Sequence, residues 1–308
     1  MADSSPAKLT KAQTFVRRTS STVFLWAVVA GVFISGWTWA FIGLLTILML
    51  IATHEFFQML KKGGVPCFPI FGLICAAGFY VFQFRPLLDD NFPGPYATML
   101  AIPVVAIGAF TLQLRHKIEG INALVAVATN VLGFVYIPLM FSFAAKLLFL
   151  PLAGYAVNNH PSLNHLPPDS AFLLLWLIAV TKFTDMGAYI TGSLIGKHKM
   201  IPHISPAKTW EGFAGGLFFA QLAGFGLYLC FWEHLEILAH PKHVAILGLI
   251  LAVLAVIGDL AESIVKRSVG AKDSGNMLPG IGGSLDLIDS ICFTAPAMYL
   301  YIAYVIYY

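Results

Sequence analysis

Charge is what this sequence has least of. Lys, Arg, Asp and Glu make up 11% of its 308 residues, whereas hydrophobic residues make up 58%. A soluble domain carries about 25% charged residues, so water is not the solvent this chain is built for. Disorder is excluded as well, because it requires low hydrophobicity and high net charge. The formal net charge is only +3, and no dense Lys/Arg stripe is present to neutralise a run of phosphates. No nucleic acid is therefore expected as a partner. Cysteine is also scarce. Cys67, Cys75, Cys230 and Cys292 stand singly in apolar stretches without a C-x-x-C pair, which excludes a disulfide framework or zinc site and predicts buried packing residues. Internal repeats and low-complexity tracts are missing too, and the two halves differ in loop length and charge, unlike the inverted repeats of transporters.

What is abundant is apolar sequence, and a membrane-crossing helix needs about 20 such residues. Charge-free windows and turn signals divide the chain into nine segments: Thr22 to Ser35, Trp39 to Thr53, Val65 to Phe84, Pro95 to Leu114, Ile121 to Ala145, Ala171 to Tyr189, Phe213 to Phe231, Val244 to Gly258 and Leu287 to Tyr307. The expected fold is all-α, a polytopic integral membrane protein with about nine transmembrane helices. Residues 1–170 form an N-terminal membrane region of about five spans, and residues 171–308 a C-terminal region of about four spans with two polar loops. Pro138 inside the long fifth segment predicts a kink or a break. Arg17-Arg18 before the first apolar run resembles a secretory signal, but a second apolar run follows at once, so the segment reads as an uncleaved helix.

Basic residues orient this arrangement. With the N-terminus in the cytoplasm, Lys8, Lys11, Arg17, Arg18, Lys61, Lys62, Arg115, Lys117, Lys197, Lys199, Lys208, Lys266, Arg267 and Lys272 fall inside, fourteen of the 18. Arg85, Lys146 and Lys242 fall outside, and Lys182 lies within a helix. This is the positive-inside bias. The same topology places the loops Thr191 to Gly212 and Glu262 to Asp286 on the cytoplasmic face.

Most of the polar chemistry lies in those two loops and the helix ends beside them. Asp259, Glu262, Ser263 and Lys266 follow at i, i+3, i+4 and i+7, which places them on one face of a helix leaving the bilayer. Acidic groups there face a watery cavity or a partner; intrahelical ion pairs of Asp259 or Glu262 with Lys266 are the plainer alternative. Lys266, Arg267 and Lys272 precede the glycines of Pro279-Gly280-Ile281-Gly282-Gly283, a combination suited to holding phosphate. Asp286 and Asp289, at i and i+3 at the start of the last apolar helix, can converge on a divalent cation, and hard cations such as Mg2+ take carboxylate and phosphate oxygens. A helix N-terminal charge is the alternative role for Asp286. Upstream, Lys182, Asp185 and Tyr189 share a face of the sixth segment, as a structural ion pair or part of a ligand cavity. Ser205, Lys208 and Thr209 offer phosphate donors where the next helix begins, with Thr209 placed as an N-cap. His198 and His203 read as loop polar groups.

In these motifs the chain resembles the phosphatidate cytidylyltransferase, or CDP-diacylglycerol synthase, family. Ser263, Lys266, Arg267, Lys272, Asp273, Pro279, Gly280, Gly282, Gly283, Asp286 and Asp289 match its compound signature in type and spacing. The patterns Asp185, Ala188, Tyr189, Gly192 and Ser205, Pro206, Lys208, Thr209, Glu211, Gly212 are also similar. Ile281, Leu287 and Ala207 depart from the usual histidine, arginine and lysine, which leaves every carboxylate in place but removes a potential base and two positive charges.

The resemblance implies a bacterial inner-membrane nucleotidyltransferase of phospholipid biosynthesis. It would transfer CMP from CTP to phosphatidic acid at the cytoplasmic face, with Mg2+ and an open number of further cations. Asp259, Asp286 and Asp289 would hold metal, and Lys266, Arg267, Lys272 and Lys208 would orient phosphates. Ser205, Thr209, Ser263, Gly282 and Gly283 would support them, with Lys182, Asp185 and Tyr189 near the lipid cavity. Membrane lipid and a homodimeric partner are family expectations. A CTP-dependent polyprenol kinase and a transporter with intramembrane Lys182, Asp185, Asp259 and Glu262 remain alternatives.

Overall fold

The computed structural model describes residues 27–84, 94–150, 166, 168–275 and 282–306. Its helices are α1 (27–35), α2 (Thr38–Lys62), α3 (Pro69–Phe84), α4 (Gly94–Gln113), α5 (Asn122–Leu147), α6 (Pro168–Ile195), α7 (Trp210–Cys230), α8 (Pro241–Ser268) and α9 (Ser284–Ile306). Among the described residues, α2, α5, α6, α7, α8 and α9 are long and apolar enough to cross a membrane, while α3 and residues Thr98–Gln113 of α4 are shorter apolar helices. Large side chains such as Ile70, Val81, Ile107, Phe218 and Leu229 are exposed, as expected where hydrocarbon rather than water is the solvent. The first residues of the first segment, the Arg17-Arg18 pair, the loop Arg85 to Asn91 and Tyr307 lie outside the described residues, as do nearly all residues of the loop Pro151 to Asp169.

Helices outrun the charge-free windows that announced them. α8 continues ten residues past Gly258 to Ser268, and α2 continues nine past Thr53 to Lys62. Apolar windows mark only the hydrocarbon depth, whereas backbone hydrogen bonding continues until the chain supplies a stop. For α2 and α8 the stop is a glycine in the left-handed region. Gly64 (φ 73°) and Gly270 (φ 68°) are each followed by a residue whose N–H returns to the helix, Val65 to the Leu60 carbonyl at 2.9 Å and Ala271 to the Lys266 carbonyl at 2.8 Å. This is the Schellman closure, which only glycine enters without steric cost. The two stops lie side by side, since a Cβ on Gly63 would meet the Val269 side chain at 2.6 Å.

Pro138 produces neither a sharp break nor an end. The turn Val135–Leu139 is π-helical, a local widening that absorbs the missing proline N–H within one continuous helix. It directs the Tyr136 ring between Phe56 of α2 and Phe293 of α9, with ring centroids 6.2 and 6.1 Å away. The buried core runs through α2, α5, α6 and α9, around Phe56, Phe57, Ile137, Trp176 and Met298. Among the described residues, the expected all-α character holds except for one hairpin between α6 and α7. There β1 (Lys199–Ile201) pairs antiparallel with β2 (Ser205–Thr209), Lys199 opposite Thr209 and Ile201 opposite Ser205. Of the cysteines, Cys292 is buried, Cys67 and Cys75 are half-buried and Cys230 is exposed; all four are free. The packing expectation is therefore wrong for Cys230, which occupies the last turn of α7.

Thr209 caps α7 as its sequence position predicts: its Oγ1 accepts the Gly212 N–H at 3.1 Å. Thr209→Ala is expected to lower stability by about 1 kcal/mol, whereas Thr209→Ser keeps it within about 0.5 kcal/mol. Thermal unfolding in detergent reads both.

Candidate active site

Two helix backbones meet where the chemistry gathers. A Cβ on Gly258 of α8 would lie 2.9 Å from both the Asp289 carbonyl oxygen and the Ser290 Cα of α9. Any larger residue would push these helices apart. This close approach brings Asp259 and Glu262, one helical turn apart on α8, against Asp289, so that ligand oxygens from all three lie within 4.8 Å of one another. Asp289 is 5% exposed and Glu262 1% exposed, and buried carboxylates are costly unless paired or bound to a metal.

The paired cations do not balance this charge. Lys266 Nζ bridges Glu262 at 2.6 Å and Asp286 at 3.0 Å, and Lys208 Nζ from β2 lies 2.8 Å from Asp259. Four carboxylates (Asp259, Glu262, Asp286, Asp289) face two ammonium groups (Lys208, Lys266), which leaves two negative charges. One oxygen of Glu262, Oε1, is buried without a hydrogen-bond partner. A set of hard oxygen donors with about two uncompensated charges and an orphaned acceptor fits a divalent cation.

The converging set keeps Asp259 and Asp289 of the three expected metal carboxylates and has Glu262 in place of Asp286. Asp286 is the third residue of α9 and turns back, accepting the Gly283 N–H at 2.7 Å while pairing with Lys266. That is the acidic half of a capping box, and it leaves Glu262 as the third member of the triad. A three-residue step on a helix separates two side chains by about 60°, enough for Asp286 and Asp289 to serve different neighbours. Lys266 is likewise engaged with two carboxylates in this structure rather than presented to solvent.

The second polar loop closes on the same place. Lys182 and Asp185 of α6 form an ion pair at 3.7 Å, and buried Thr181 bonds Thr294 of α9 at 3.1 Å, pinning α6 beside Asp289. A cavity of about 470 Å³ opens here, bordered by Asp185, Tyr189, Ser205, Lys208, Thr209 and Asp259, a volume within the range of small-molecule sites. The hairpin is held over it by Glu211, which accepts the Lys197 N–H at 3.1 Å and the His198 N–H at 3.2 Å and pairs with the His198 ring. Residue spacing does not reveal that His198 has a carboxylate partner, because a hairpin intervenes.

The remaining expected residues divide. Ser263 is half-buried on α8, whereas Arg267 and Lys272 are exposed, and Arg267 donates to the Ala271 carbonyl at 3.3 Å. Gly282 takes a left-handed φ of 124° beside Asp286. Pro279, Gly280 and Ile281 lie outside the described residues. In the sequence Glu262 reads as an ion-pair partner of Lys266, which the structure shows, and as a transporter relay residue but not as a metal ligand. Nothing there singles out Glu55, a 7%-exposed carboxylate of α2 whose Oε2 accepts the Leu285 N–H at 3.0 Å. Its signal is a lone acid in an apolar helix.

Comparison with known proteins gives the family. Residues 16–305 match the cytidylyltransferase family. The chain is similar to a phosphatidate cytidylyltransferase of Synechocystis, 30% identical over 279 residues that cover 86% of this chain and 88% of that protein. It is also similar to one of Staphylococcus aureus, 31% identical over 82% of this chain and 96% of the relative. A third, from Brucella suis, is 42% identical over a shorter region, 49% of this chain and 56% of the relative. The match runs through both halves of the chain and includes the helices that carry Asp259, Glu262 and Asp289, so the chain belongs to the cytidylyltransferase family.

Proposed function

We propose that this protein is a phosphatidate cytidylyltransferase, which converts CTP and phosphatidic acid to CDP-diacylglycerol and pyrophosphate. The observation that carries the reading is the convergence of Asp259, Glu262 and Asp289 beside a cavity lined by Lys208. In the reaction an oxygen of the lipid phosphate attacks the α-phosphorus of CTP. A new P–O bond forms, the bond from Pα to the bridging oxygen breaks, and pyrophosphate leaves with that oxygen.

Because the lipid phosphate is already anionic, little base catalysis is needed, and the loss of a histidine at Ile281 is tolerated. What the step requires is neutralisation of two anions brought together. Asp259, Glu262 and Asp289 would hold the cation, Mg2+ by the hardness of its donors, which supplies Lewis-acid stabilisation of phosphoryl oxygens when bound. Lys208 faces the cavity and is the cation best placed for a triphosphate. Lys266 orients Glu262 and Asp286, and the ion pair of Lys182 and Asp185 borders the space for the lipid. Arg267 and Lys272 meet the nucleotide from solvent, Ser205 lines the cavity, and Ser263, Gly282 and Gly283 support the residues around it.

The reading carries a topology of nine spans with the N-terminus and the motif loops in the cytoplasm of a bacterial inner membrane. It includes a homodimer and a division into residues 1–170 and 171–308. Fourteen basic residues on one side support the orientation, and CTP is found on that side. Purified protein supplied with labelled CTP, Mg2+ and phosphatidic acid is expected to release pyrophosphate and a CDP-lipid. CDP with a lipid phosphate, formed when a polyprenol is supplied, would instead assign a lipid kinase. Chelation of the divalent cation is expected to abolish turnover, and added Mg2+ to restore it.

A further inference from the structure

The N-terminal half contributes more to this centre than apolar helices. Leu48 and Glu55 lie seven residues apart on α2, two turns on one face. The Leu48 carbonyl points toward the helix C-terminus, while a long side chain at 55 leans back toward the N-terminus, so both reach the same stretch of α9. Both hold the first turn of α9. The Ser284 hydroxyl donates to the Leu48 carbonyl at 3.0 Å, and the Leu285 N–H donates to Glu55 Oε2 at 3.0 Å.

A carboxylate at a helix N-terminus is favoured by the exposed N–H groups and the macrodipole. Here it comes from another helix 230 residues away in sequence. Glu55 is also wedged between both ends of the signature loop. A Cβ on Gly275 or Gly283 would collide with its carboxylate, and at Gly283 also with the Ser274 hydroxyl. Glu55 Oε1 and Ser274 Oγ are both buried without a hydrogen-bond partner.

We infer that Glu55 is a positioning residue for the metal centre. It fixes the height and rotation of the first turns of α9, which places Asp289 in the triad and Asp286 on Lys266. It belongs neither to the triad nor to the residues that line the cavity. The glycines at 275 and 283 are the space it requires, so the signature loop and an acid of α2 form one device. The inference rests on the reading of the acidic triad as a divalent-cation site.

Glu55→Ala and Glu55→Gln in the full chain in detergent test it, with two readouts. Mg2+ alone is titrated while thermal unfolding is followed, and turnover of CTP and phosphatidic acid is measured separately. Glu55→Ala is expected to raise the Mg2+ concentration at half-stabilisation and to lower kcat, each by about 10- to 100-fold, with KM for CTP changed less than about threefold. The Gln amide oxygen still accepts the Leu285 N–H, so Glu55→Gln is expected to stay within about fivefold of the parent on the same scale. An unchanged Mg2+ midpoint and kcat in folded Glu55→Ala overturns the inference. If the Ala variant does not fold, Glu55→Met, which fills the space but accepts no N–H from Leu285, is measured in its place, and an unchanged Mg2+ midpoint and kcat in that folded variant overturns the inference equally. Absence of any Mg2+ stabilisation in the parent instead sinks the cation site, and absence of a CDP-lipid product sinks the reaction.

Discussion

Asp289→Asn is expected to reduce turnover by on the order of 10³-fold while the helix bundle remains folded. The substitution preserves shape and removes one negative charge from a triad whose oxygens lie within 4.8 Å of one another. Asp289 is the buried member contributed by α9, so its neutralisation removes the carboxylate that this helix brings to the triad. Because unpaired buried carboxylates repel, the change relieves strain when no cation is present. Folding stability without Mg2+ is therefore expected to hold or rise, and the stabilisation by Mg2+ to disappear. Measuring the unfolding midpoint with and without Mg2+ alongside turnover separates this outcome from misfolding. Near-parental turnover in Asp289→Asn would remove the triad from the mechanism.

Lys208→Met is expected to lower kcat/KM for CTP by on the order of 10²-fold, with an opposite effect on the cation. Lys208 neutralises Asp259 at 2.8 Å and borders the cavity. Without it the triad becomes more negative, so Mg2+ binds at least as tightly while the triphosphate loses its partner. The pairing of weaker CTP use with undiminished Mg2+ stabilisation distinguishes a phosphate-facing lysine from one that only maintains the fold. Lys208→Arg is expected to recover part of the loss, because the charge is kept but a planar fork replaces a compact ammonium. A parallel loss of CTP use and Mg2+ stabilisation in Lys208→Met would instead make it a structural partner of Asp259.

The site was legible wherever its residues share a helix or a short loop. Spacing alone put Asp259, Glu262 and Lys266 on one face of α8 and marked Thr209 as the cap of α7, because helical period and capping chemistry are local. It failed where partners come from separate elements. Asp286 and Asp289 look equivalent in sequence, yet the first is drawn to Gly283 and Lys266 and the second to the triad. The role of Glu55 was hidden for the same reason, since Leu285 is its partner only after α2 and α9 pack.

The sequence by itself determined the solvent of this protein and the neighbourhood of its chemistry. With 11% charged residues, apolar runs had to become helices to satisfy their backbone in hydrocarbon, and the few remaining charges had to cluster where they were of use. Tertiary structure decided which carboxylates meet. That choice turns on the bare backbone at Gly258, where α8 and α9 come into contact, and on the anchoring of α9 by α2. Local pattern encodes neither, because each is a contact between helices whose distance is set by packing.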